Sequence, residues 1–138
     1  MRHVVFRVSA ERFALPLEAV REVVLPQPPF ARVPRVSEAV PGVMNLRGRV
    51  LAVVDLAALV GLTPQPLREG SGQVLILDQG KRAVGILIGG VQGVEEIEPP
   101  KSDEKALVRG VTAAGAGAVS VLSPEALFQA AVALFGEH

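Results

Sequence analysis

Few side chains in this sequence belong to the types that perform catalysis or bind metal ions. The chain has no Cys, and its two His, His3 and His138, lie at opposite ends. Thiolates and imidazoles supply most zinc ligands, and they activate or provide most protein nucleophiles. A serine nucleophile would have to use one of the two terminal His as its base. The sequence therefore predicts no catalytic residue, no metal site and no enzyme activity.

Two short motifs could imitate a ligand site. Segment 95–98, EEIE, offers three carboxylates, but neighbouring strand residues face opposite sides, so Glu96 and Glu98 share a face that Glu95 does not. Segment 115–120, GAGAVS, resembles a dinucleotide-binding loop, yet it lacks the third Gly and leads into a strand. We interpret the first as a solvated strand end and the second as a hairpin turn, and we expect no cofactor.

Charge and aromatic content argue against a protein that binds nucleic acid. The 138 residues include 14 basic and 14 acidic side chains, so the formal net charge is zero, whereas affinity for a phosphate backbone needs excess positive charge. Barrels that bind single strands stack bases on aromatic side chains, and this chain has five Phe but no Tyr or Trp. A small nucleic-acid-binding β-barrel stays open as an alternative, but we expect no nucleic-acid partner.

The sequence also lacks a candidate membrane span or signal peptide. The longest stretch without a charged residue is 110–124, which is 15 residues long and rich in Gly and Ala. A membrane-spanning helix needs about 20 apolar residues. We expect a cytoplasmic protein with no direct membrane insertion.

Short apolar runs between turn-forming residues predict an all-β domain that spans residues 1–138. About nine strands are expected, with apolar residues in runs or at alternate positions. They are 4–8, 12–15, 42–46, 50–55, 73–78, 81–88, 91–97, 107–112 and 118–122. This number of short strands is typical of one or two small barrels with a helical lid.

Two or three short helices are expected beside these strands. Pro16 precedes Leu17, Val20 and Val24, whose spacing of three and four residues predicts a helix over 17–24. A helical turn is expected at 56–60. A C-terminal helix should begin after Ser123 as N-cap and extend to about residue 135.

Segment 41–56, PGVMNLRGRVLAVVDL, is the most informative part of the chain. Its apolar residues and Gly48 suit a hairpin between two buried strands. Asn45 and Arg47 lie at the predicted tip, where they stabilise no obvious local element. The hairpin alone does not account for these two polar residues.

This segment resembles the signature of the CheW-like coupling proteins of bacterial chemosensory systems, Gly-Val-x-Asn-Leu-Arg-Gly followed by a strand and Val-Asp-Leu. The matching residues here are 42–48 and 54–56. Segments 13–24, 32–34, 84–94, 107–111 and 118–127 are also similar to the family, so the resemblance covers about 120 residues. Three features depart from it: Gly89 and Ser123 replace residues that are usually Asp, and the 99–107 loop is short.

The resemblance implies two small five-stranded SH3-like β-barrels around a shared core, with a C-terminal helix. It implies a non-catalytic adapter that connects the cytoplasmic hairpin tip of a chemoreceptor to the regulatory domain of a CheA-type histidine kinase. Such a protein would be recruited to receptor arrays at the membrane. The implied partner-binding residues are Val20, Glu22, Val23, Asn45, Leu46, Arg47 and Gly48.

Three alternatives accompany this interpretation. The protein could be a diverged family member that keeps only one of the two partners. Arg47 could cap the turn or pair with Glu22 to brace the two barrels. Of Val20 and Val23, one could serve the core and the other a partner, whereas Leu46 and Val53 are read as core strand positions.

Overall fold

Ten strands in two five-stranded sheets form most of the structure, a computed structural model that describes residues 1–33, 37–80, 82–101, 105–115 and 117–135. The strands of the first sheet are β1 (Arg2–Val8), β2 (Glu11–Pro16), β8 (Gly90–Glu96), β9 (Val108–Ala114) and β10 (Gly117–Leu122). Those of the second are β3 (Glu22–Val24), β4 (Gly42–Leu46), β5 (Arg49–Asp55), β6 (Gln73–Gln79) and β7 (Arg82–Ile88). The predicted all-β class with two five-stranded sheets is confirmed.

The two sheets share one pairing pattern. Their strand orders are β8-β1-β2-β10-β9 and β3-β6-β7-β5-β4. In each sheet the third and fourth strands pair in parallel, and the other neighbours pair antiparallel. The nine strands expected from the sequence coincide with nine of these ten to within two residues at either end. Lys81 and Ala116, which adjoin strand ends, lie outside the described residues.

The predicted helix over 17–24 is wrong. Only Leu17–Ala19 form a short 3-10 helix, and the chain then enters β3, whose Glu22 and Val24 lie opposite Ile76 and Val74 of β6. Three of the last five residues in this segment are Val, whose branched side chains favour a strand. Pairing with β6 also gives the backbone its hydrogen bonds, so tertiary contacts override a helical spacing.

The core consists of one large cluster and two smaller ones. The large cluster takes residues from both sheets and from the C-terminal helix, including Phe6, Leu75, Ile86 and Leu127, all fully buried. Each sheet buries a smaller cluster on its other face; that of the second sheet contains Val74 and Ile76. Because side chains alternate along a strand, β6 contributes Val74 and Ile76 to one cluster and Leu75 to the other.

Two α-helices follow strand ends and are capped there. α1 (Leu56–Leu59) is capped by Asp55, whose carboxylate accepts from the backbone N–H of Ala57 at 3.1 Å and of Gln65 at 2.7 Å. Burial raises the pKa of Asp55, against the effect of these hydrogen bonds. α2 (Pro124–Ala133) begins after Ser123, whose hydroxyl accepts from the N–H of Ala126 at 3.1 Å, as predicted. Ser123 therefore performs the capping that an Asp would perform.

An arginine connects the two edge strands of the first sheet. Arg12, on β2, donates to Gln92 and Glu95 of β8, at 3.1 Å in each case. It also donates to the carbonyl oxygen of Ala114, at the end of β9, at 2.8 Å. One side chain thus holds β8 and β9 together, although they are the outermost strands of the sheet.

Candidate functional site

The hairpin tip between β4 and β5 consists of Arg47 and Gly48. Both residues have positive φ, 49° and 84°, and Leu46 pairs with Arg49 across them. Two residues with positive φ make the type of two-residue turn whose twist matches the strands, and Gly or Asn usually fills the first position. An Arg in this conformation is uncommon, which favours a role for its side chain.

Arg47 forms a two-point ion pair with Glu22 of β3. Its Nη1 lies 2.8 Å from Glu22 Oε1, and its Nη2 lies 3.0 Å from Oε2. The hydrogen bond to Arg47 holds the pKa of Glu22 below its ordinary value, and the same bond raises the pKa of Arg47. Arg47 stays 61% exposed, so the guanidinium is held in place but remains accessible to a partner.

This ion pair connects the two edge strands of the second sheet. β3 and the β4–β5 tip lie at opposite ends of the strand order β3-β6-β7-β5-β4. The interpretation that Arg47 pairs with Glu22 is confirmed. The interpretation that the pair braces one barrel against the other is wrong, because both residues belong to the second sheet.

The chain that follows β3 forms backbone hydrogen bonds with β4. Ala31 and Val43 exchange two hydrogen bonds, of 3.1 and 2.8 Å. The N–H of Asn45 donates to the carbonyl oxygen of Gln27 at 3.3 Å. The segment after β3 therefore covers part of the outer edge of β4. Segment 32–34, which is similar to the family, ends at Pro34, and Pro34 lies outside the described residues.

The two valines of the predicted site differ in burial. Val20 packs against the large core cluster, whereas Val23 is 39% exposed. Val23 lies on the opposite face of β3 from Glu22 because side chains alternate along a strand. Leu25, two residues on, is also exposed, so Val23 lies beside further apolar surface.

An open groove of about 900 Å³ lies between the β4–β5 hairpin, the β6–β7 hairpin and the end of α2. Its apolar lining comes from Leu46, Val50, Leu51, Val84, Val132 and Phe135. Its charged lining consists of Arg21, Arg47, Arg49, Arg82 and Asp78. Leu46, predicted both as a core position and as a partner-binding residue, is half-buried: it packs against the smaller core cluster of the second sheet and lines this groove. The groove thus combines an apolar floor with a mostly cationic rim.

Sequence reasoning missed most of this groove. Val50 is 79% exposed directly after the hairpin tip, although its position within an apolar strand suggested burial. Phe135, the last residue of the predicted C-terminal helix, packs against the large core cluster and also lines the groove. The signal that could have revealed the surface is Arg49 beside Val50, an odd pair for the start of a buried strand.

The other side chains considered for catalysis or metal binding lie apart from one another. His3 lies near one end of the sequence but is fully buried, with Nδ1 2.9 Å from the carbonyl oxygen of Met1. Glu95 and Glu96 point apart: the first bonds Arg12, and the second bonds the N-terminal amino group at 2.8 Å. Within the described ranges no three His, Asp or Glu side chains gather as metal ligands, and His138 lies outside those ranges.

A model of the CheW-like domain matches residues 2–132. The chain belongs to the CheW-like domain family. A solved structure supports the same fold: the scaffolding protein TtCheW from Thermoanaerobacter tengcongensis superposes with a TM-score of 0.72 at 24% identity. That match covers 88% of this chain and 87% of TtCheW. No helix in the described part of the CheW-like chain is long and apolar enough to cross a bilayer.

Curated relatives of this CheW-like protein extend over most of its length. The probable chemotaxis protein CheW of Rhizobium etli is 30% identical over 135 residues, covering 91% of this chain and 85% of that protein. The chemotaxis protein CheW of Rhizobium meliloti is 31% identical with the same coverage. The protein PilI of Pseudomonas aeruginosa is 33% identical over 90 residues, which is 65% of this chain and 49% of PilI.

Proposed function

We infer that this protein is a chemotaxis coupling scaffold that joins a chemoreceptor to a CheA-type histidine kinase. The support is the family match over residues 2–132 and the two relatives named as chemotaxis protein CheW. Its role is non-catalytic: it changes how the kinase responds by holding receptor and kinase together. It works in the cytoplasm, where receptor tips recruit it to their arrays at the membrane.

The observation that carries this proposal is that Arg47 is exposed and yet held in a fixed orientation. The side chain is 61% exposed, yet two hydrogen bonds to Glu22 fix its orientation. Binding costs less conformational entropy when an interface residue is already ordered. A rigid, exposed Arg at the rim of an apolar groove is available to a protein partner, and Arg is enriched among the residues that dominate binding at interfaces.

The groove supports a helical receptor tip as one partner. An amphipathic helix binds by laying its apolar face into a hydrophobic groove, with flanking charges that set orientation. Leu46, Val50 and Phe135 provide the apolar surface, and Arg47 lies at its rim. Val23 and Leu25 add exposed apolar surface on the other face of β3. The kinase regulatory domain is the second partner.

A form that keeps only one partner is the second candidate. Gly89 stands where the family usually has Asp, and a Cβ at this position would lie 2.7 Å from the carbonyl oxygen of Arg7. The family residue therefore does not fit here without a shift of backbone. The 99–107 loop is shorter than usual, and its residues 102–104 lie outside the described part. Both features concern surfaces that a second partner could use.

A phosphorylation assay tests both candidates. The kinase and receptor-containing membranes from the same genome are incubated with labelled ATP, with and without this protein. The coupling scaffold stimulates kinase phosphorylation, and stimulation depends on the receptor being present. Binding to one partner without stimulation supports the one-partner form. Neither binding nor stimulation contradicts the proposed function.

A further inference from the structure

The groove concentrates positive charge in a protein whose formal net charge is zero. Four arginines but one acidic residue, Asp78, line it. Arg21 forms an ion pair with Asp78, with its Nη1 3.2 Å from Asp78 Oδ2, and Arg47 forms one with Glu22. These two pairs account for the acidic groups at the rim.

Arg49 and Arg82 have no such partner. Both are exposed, and neither forms an ion pair or a side-chain hydrogen bond within the described part of the chain. Arg49 opens β5 beside the hairpin tip, and Arg82 opens β7. The two unpaired cations thus lie on the hairpins that form two walls of the groove.

The floor between these cations is apolar and partly exposed. Val50 is 79% exposed, and Leu46, Leu51, Val84, Val132 and Phe135 contribute further apolar lining. A ligand that covers the apolar floor and also pairs with the two arginines must carry an apolar stripe with carboxylates beside it. Carboxylates form strong, geometrically specific pairs with guanidinium groups.

A polyanion fits this surface less well than an acidic helix. A polyphosphate has no apolar face to cover Val50, and a nucleic acid needs aromatic side chains on which to stack its bases, of which Phe135 is the one among the described lining residues. The combination of apolar floor and two free arginines therefore favours a protein partner.

We propose that Arg49 and Arg82 select the partner helix by pairing with carboxylates that flank its apolar stripe. The inference rests on the proposed function, since the helix belongs to the chemoreceptor tip. It adds the chemistry by which this protein distinguishes an acidic receptor helix from a neutral or basic one. Such rim charges contribute mainly to specificity and association rate, and their effect is screened by salt.

Binding of the soluble cytoplasmic fragment of a receptor from the same genome tests the proposal. Titrations at low and high NaCl compare the wild type with the double variants Arg49→Gln/Arg82→Gln and Arg49→Lys/Arg82→Lys. The matched control is Arg32→Gln/Arg68→Gln, which removes the same charge from two exposed arginines outside the groove. Thermal melts verify that each variant is folded.

We expect the groove Gln variant to bind about fivefold to tenfold more weakly at low salt and to lose most of the salt dependence of the wild type. The Lys variant and the control should bind within about threefold of the wild type. Wild-type affinity in the groove Gln variant would overturn the inference and leave the proposed function intact. Absence of wild-type binding would overturn both. Displacement of the receptor fragment by an equimolar oligonucleotide would show a polyanion site and overturn the inference.

Discussion

The guanidinium of Arg47 and the carboxylate of Glu22 meet through two parallel hydrogen bonds, of 2.8 and 3.0 Å, across 25 residues of sequence. This pair connects a two-residue hairpin tip to the far edge strand of the same sheet. It orients a side chain that remains mostly exposed. One arginine therefore combines a contact that closes the sheet with the exposed position that we propose for partner binding.

Arg47→Asp should weaken binding to the receptor, the kinase or both by at least about tenfold, because an interface arginine replaced by an acid leaves its partner groups unpaired. Stability should stay within the range of ordinary surface substitutions, since the side chain is exposed. Titration calorimetry with each partner and urea unfolding measure the two effects.

Val53→Ala is the control for Arg47→Asp. Val53 is fully buried on β5, so its truncation should cost roughly 1–3 kcal/mol of unfolding free energy and reduce binding only in proportion to unfolding. Normal binding of both partners by folded Arg47→Asp would show that the role implied by the family resemblance is wrong for this protein.

Val23→Asp should weaken binding of the partner, receptor or kinase, that covers the exposed face of β3, while leaving the melting temperature nearly unchanged. Val23 is exposed on β3, so the new carboxylate stays in water, but it removes apolar contact area from a partner. The matched variant is Val20→Asp, which places a charge against the core and should lose about 2 kcal/mol or more. A large loss of stability in Val23→Asp would contradict its assignment to the partner surface.

Glu22 should make stability depend on pH in the acidic range. Arg47 depresses its pKa in the folded state, so the ion pair stabilises the fold above the ordinary Glu value and loses this effect as pH falls through the folded pKa. Urea unfolding of wild type and Glu22→Gln between about pH 7 and pH 3 tests this. The wild type should be more stable at the upper end, and the difference should vanish at the lower end; a constant difference would mean that the ion pair contributes nothing.

Gly89→Ala should destabilise the protein by about 1–3 kcal/mol, because its Cβ would lie 2.7 Å from the carbonyl oxygen of Arg7. The N–H of Gly89 also donates to that oxygen, which keeps the two backbones close. Gly90→Ala is the control, since its nearest atom would be 3.8 Å from a Cβ. Equal thermal denaturation curves for the two variants would show that the backbone relaxes without cost.

The strands could be predicted from sequence because their signals are local. Alternating apolar residues and Gly or Pro turns defined nine strands, and a serine before a proline defined the start of α2. β3 could not be predicted in this way, because its conformation depends on pairing with β6, about 50 residues later. The spacing of Leu17, Val20 and Val24 indicated burial correctly but indicated the wrong conformation.

The candidate site could be predicted only in part, for a similar reason. Arg47 and Glu22 were identified from the family resemblance, and their pairing was considered as an alternative. The groove combines Arg49 of β5, Arg82 of β7 and Phe135, which follows α2. The strand order of the second sheet brings the first two together, and Phe135 joins them only because the end of α2 packs there. No local pattern in the sequence indicates such a meeting.

The covered edge of β4 limits how another chain can pair with this sheet. Ala31 and Gln27 already occupy backbone groups of β4 at Val43 and Asn45. An open strand edge is a template on which another chain can add a strand and start aggregation. Another copy of this chain could add a strand at these positions only by displacing the hydrogen bonds to Ala31 and Gln27. Contact between copies at this part of the edge would therefore rely on side chains.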